Sequence, residues 1–93
     1  MEESLPDFDA LWDYHNPEKT EQLFLEILPV AQNDGGDDYL AQLLTQVART
    51  QGLQRKFDVA HQTLNEAEAL LSDETRVAHI RYFLEPVGLL LLL

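Results

Sequence analysis

Apolar residues recur at helical spacing along most of the chain, and the clearest run lies between Tyr39 and Leu71. Leu40, Leu43, Leu44, Val47 and Ala48 fall at i, i+3, i+4, i+7 and i+8, one stripe of a helix. Phe57, Ala60, Leu64, Ala67 and Leu71 return every three or four residues and predict a second helix. Gly52 stands between them, where a left-handed residue would close the first helix. Ala48, Ala60 and Ala67 lie on the stripes, where a larger side chain would hold a neighbour away. Large residues alternating with alanines predict a close antiparallel helix pair.

The flanking segments carry the same period. Phe8, Leu11 and Trp12, at i, i+3 and i+4, predict a short helix over Asp7 to Tyr14, with Trp12 closing one end of the core. Asn16-Pro17-Glu18 is a helix start: an N-cap, a proline at the first position, an acid near the positive end of the dipole. Leu23, Phe24, Ile27 and Leu28 give this helix its stripe, and a kink at Pro29 is expected before it continues through Ala31. Asn33 to Asp38 is rich in turn formers and predicts a loop. A fifth helix is expected from Asp73 to Glu85, striped by Val77, Ile80 and Leu84 and stopped by Pro86. The tail, 86–93, is irregular and ends in Leu89, Leu90, Leu91, Leu92 and Leu93, far short of the ~20 apolar residues of a membrane span.

The helix pair resembles a tetratricopeptide repeat (TPR), a unit of about 34 residues with a W-x2-L-G-x2-Y, A-x3-F, P pattern. The first block reads Leu44-x2-Val47-Ala48-x2-Gln51, and the second Phe57-x2-Ala60-x3-Leu64-x2-Ala67. Leu44, Gln51 and Ser72 stand where the pattern has Trp, Tyr and Pro. Thr20-x3-Phe24-x2-Ile27 repeats the Ala60, Leu64, Ala67 slots 40 residues earlier, an excess over the family period assigned to the Asn33–Asp38 loop. The expected architecture is a single all-α domain over 1–93, a short TPR-like α-solenoid of about five helices.

Charge narrows the partners. The 93 residues hold 17 acids against 6 bases, and eleven of those acids face one lysine within residues 1–38. Nucleic acid and anionic membrane are disfavoured, because binding them relies on clustered Lys and Arg. The acidic opening, Met1 to Pro6, lacks the basic and apolar regions of a signal peptide, and no cysteine is present. A cytoplasmic location is the expectation.

Catalytic chemistry finds little to stand on. His15, His61 and His79 have no metal-ligand spacing, and Asp58 with His61 supplies only two ligands. The Asn33–Asp38 stretch has the wrong glycine spacing for a Ca²⁺ loop, with Thr45 where its glutamate belongs. Asp9 and Asp13 read as a solvated face. No enzyme, metal or cofactor is expected.

A surface remains. Gln42, Thr45, Gln46 and Arg49 form a polar stripe opposite the leucines of their helix. The TPR resemblance implies that this stripe lines a peptide groove, with Arg76, His79 and Phe83 beside it. Arg49 and Arg76 would grip an acidic or carboxylate-terminated peptide. The expected function is a non-enzymatic protein-interaction scaffold. Two other classes are a self-assembling repeat fragment, dimerising through Val77, Ile80, Leu84 and the leucine tail, and an acidic decoy of a nucleic-acid-binding protein.

Overall fold

Helix ends set the frame. The computed structural model describes residues 5–71, and every regular element among them is helical: a 3-10 turn at Phe8–Leu11, then α1 (Pro17–Asp34), α2 (Gly36–Leu53) and α3 (Phe57–Glu68). Asn16 caps α1 as its sequence requires, its side-chain oxygen accepting from the Lys19 N–H at 3.2 Å. The short helix expected over Asp7 to Tyr14 is only the single 3-10 turn. The backbone of Trp12 is already extended, at φ −61° and ψ 127°.

The loop expected at Asn33–Asp38 does not form. α1 runs through Pro29 to Asp34, and Gly35 alone joins it to α2. Two glycines make so short a joint workable. A Cβ on Gly35 would lie 2.7 Å from the Tyr39 ring and 2.9 Å from the Ala31 carbonyl oxygen. Gly36 takes φ +71°, the left-handed region that costs glycine nothing. Gly52, by contrast, stays inside α2, and the left-handed residue before α3 is Arg55 at φ 64°.

Such short joints return the chain on itself. Glu21 near the start of α1 meets Gln51 near the end of α2, so the two helices are antiparallel. α2 packs against α1 on one side and α3 on the other. Phe8, Phe24, Ile27, Ala31, Leu43 and Val47 form the larger apolar cluster, covered by Leu11, Trp12, Leu28, Tyr39 and Leu40. Phe24 meets Phe8 and Trp12 edge to face, centroids 6.1 and 5.4 Å apart, an arrangement that the ring quadrupoles favour. On the α3 side, Ala48, Ala60 and Leu64 make a second cluster, and small side chains let the backbones approach. Phe57, assigned to the apolar stripe of α3, is instead 47% exposed. The leucine tail and the fifth helix expected over Asp73 to Glu85 fall outside the described residues.

Candidate functional site

The polar stripe of α2 is not the surface strip that its spacing predicts. Thr45 and Gln46 are buried and Gln42 is half-buried. Thr45 donates to the Gln42 carbonyl at 2.6 Å, and Gln42 donates to the Asp38 carboxylate at 2.7 Å. Gln46 accepts the indole N–H of Trp12 at 3.0 Å. The segment after the 3-10 turn therefore lies over this face of α2. A polar side chain does not announce exposure when its partner arrives from 34 residues away.

Arg49 is the member of that stripe left with an open edge. Trp12 and Tyr14 stack in parallel, centroids 4.6 Å apart and 4° between planes. The Arg49 guanidinium carbon lies 5.8 Å from the Trp12 centroid and 5.5 Å from that of Tyr14. A guanidinium at this range is attracted to the ring quadrupoles. Among the described residues it has no hydrogen bond and no ion pair, although acids outnumber bases almost three to one. No described residue occupies its planar N–H fork, which has the geometry to take a carboxylate in bidentate fashion.

The aromatic pair is held firmly. The Thr20 hydroxyl accepts from the Asp13 N–H at 3.0 Å, and the Asp13 carboxylate accepts from the His15 N–H at 3.0 Å. The Tyr39 hydroxyl donates to the Pro6 carbonyl at 2.7 Å, tying the start of this segment to α2. Burial, and then the Asp7 charge, push the Tyr39 phenol above its ordinary range. Sequence reasoning took Trp12 as a core lid and missed Tyr14. The available signal was the i, i+2 spacing, which puts two side chains on one side only where the chain is extended.

A second polar cluster runs through the interior. The Glu21 carboxylate accepts from Gln51 at 3.0 Å, Gln54 at 2.8 Å and Lys56 at 3.0 Å. Gln51 in turn accepts the Thr63 hydroxyl at 2.7 Å, so one network joins α1, α2 and α3. Burial raises the Glu21 pKa, but the three donors and the Lys56 charge outweigh it and hold the carboxyl below its ordinary range. A general acid needs the opposite shift. Glu21 is a staple between helices. Because its folded pKa is depressed, its stabilisation is present above the ordinary glutamate range and is lost as pH falls through the folded value. The thermal midpoint of the wild type should drop more steeply on acidification than that of Glu21→Gln. Parallel acid limbs for the two proteins would remove Glu21 from the pH dependence.

Arg76, His79 and Phe83, the expected neighbours of Arg49, lie outside the described residues, as do Val77, Ile80, Leu84 and Leu89 to Leu93. Among the described residues no cluster of three or more His, Cys, Asp or Glu is placed to hold a metal ion. None of their helices is long and apolar enough to cross a membrane. The fold these residues define is an all-α helical assembly. Comparison of the chain with protein-family models, with curated proteins and with solved structures returned no match.

Proposed function

We propose that this chain is a non-enzymatic protein-interaction module, a TPR-like helical scaffold that binds an acidic or carboxylate-terminated peptide at Arg49. The observation that carries this reading is the guanidinium itself: held beside two rings, with no ion-pair partner among the described residues, in a strongly acidic chain. The repeat character draws support from burial. Thr20, Phe24 and Ile27 on α1 are buried in the same slots as Ala60, Leu64 and Ala67 on α3. The 40-residue offset between the slots does not come from a loop, since Gly35 alone separates two helices of 18 residues each.

The test is NMR titration of the intact chain with a short acidic peptide bearing a free C-terminal carboxylate. Shifts should centre on Arg49, and Arg49→Ala should weaken binding about tenfold or more, the worth of a charge-assisted pair. Shifts confined to the outer faces of α1 and α3 would move the site elsewhere and refute the reading.

A further inference from the structure

We propose that Tyr14 and Arg49 act together as a two-point site for a peptide carrying an aromatic residue and an Asp or Glu two positions apart. This rests on the interaction-module reading and adds a ring contact to its acidic ligand. Tyr14 is 57% exposed, and its stack with Trp12 uses only one face of the ring. Trp12 itself is packed edge to face on Phe24 and held through its indole by Gln46, so it backs Tyr14 rigidly. The guanidinium lies almost equally far from the two centroids, at 5.8 and 5.5 Å. A cation capping the outer face of Tyr14 would sit several ångströms farther from Trp12. Arg49 therefore flanks the stack and does not itself cover the outer ring face.

The two contacts fit the geometry of an extended peptide. Side chains at i and i+2 point the same way and are separated by roughly 6.5–7 Å. With the guanidinium carbon 5.5 Å from the Tyr14 centroid, a carboxylate on the Arg49 fork comes within that spacing of a ring laid on Tyr14 when the fork turns towards the outer ring face. Charge selects against a polyacidic tract, since residues 1–38, which supply Tyr14, carry eleven acids against one base. A single carboxylate avoids most of that repulsion, and the ring supplies the rest of the affinity. Little is spent on ordering the site, because Asp13, His15 and Thr20 already hold the backbone around Tyr14.

The test uses end-blocked pentapeptides: Gly-Trp-Ser-Glu-Gly, the same with Ala for Trp, and the same with Gln for Glu. Each is titrated into the intact chain, with shifts read at Tyr14 and Arg49. The Trp/Glu peptide should bind best, and loss of its ring should weaken binding about threefold to tenfold. Tyr14→Ala should cost a similar factor against the Trp peptide and nothing against the Ala peptide. Because Tyr14 is exposed the variant should keep its helical circular dichroism, and the peptide pair on the wild type decides the question without it. Equal binding of the Trp and Ala peptides, with Arg49→Ala still abolishing both, overturns the ring contact and leaves the interaction module standing. No shift at Arg49 or Tyr14 with any of these peptides overturns the two-point site, and no shift with the carboxylate-terminated peptide either overturns the interaction module as well.

Discussion

Phe24→Ala is expected to lower the unfolding free energy by about 3–5 kcal/mol, since Phe24 is the largest of the fully buried side chains among the described residues. Phe24 is fully buried and meets both Phe8 and Trp12 edge to face. Removing the ring forfeits its transfer free energy and leaves a cavity at the joint between the N-terminal segment and α1. The surroundings can collapse only partly, since Ile27 and Leu43 are held by their own helices. For a domain whose whole stability is on the order of 5–15 kcal/mol, this is a large fraction. Denaturant midpoints measure it, with the exposed Leu25→Ala as the control. The single tryptophan gives a second readout, because Trp12 loses its backing and its emission should shift to the red. A cost below about 1 kcal/mol would mean that the site collapses completely or that the cluster does not anchor the fold.

Ala60→Leu should destabilise by roughly 1–3 kcal/mol, in the opposite sense of volume. Ala60 has no exposed surface and sits against Ala48 and Leu64, where α2 and α3 come closest through small side chains. Three added carbons push the helices apart. The same displacement stretches the 2.7 Å bond from Thr63 to Gln51, so the polar network is strained along with the apolar contact. The exposed Gln62→Ala on the same helix should stay within about 0.5 kcal/mol. A neutral Ala60→Leu would show that α3 can move outward freely, and the close-packed hairpin would lose its main support.

Both predictions lean on features legible in the chain, and their partners show where legibility stopped. The stripes identified Phe24, Leu43, Val47, Leu64 and the three alanines as core, and all are buried. The Asn33–Asp38 cluster misled because turn formers mark a change of direction but not its length. Gly36 in a left-handed conformation makes that turn at once. Gly52 misled for a related reason: α2 continues past it while Gln54 and Lys56 are drawn to Glu21.

What the sequence determined by itself was whatever depends on neighbours within about four residues. Helical period, the Asn16 cap and the alanine spacing belong to that class, because each is decided within one turn of helix. The tertiary structure alone decided the fate of the polar residues. Gln46, Thr50 and Gln51 fall three, seven and eight residues after Leu43, on its face of α2, whereas Thr45 lies on the opposite face; all four are buried, because α2 is covered on several sides at once. Their burial is tolerable only because hydrogen-bond partners are at hand, whether one turn away or, as with Trp12 and Glu21, thirty or more residues away. Arg49 follows the same rule. Its charge was plain in the sequence, but its place beside the Trp12–Tyr14 stack arises only when the segment after the 3-10 turn folds across α2.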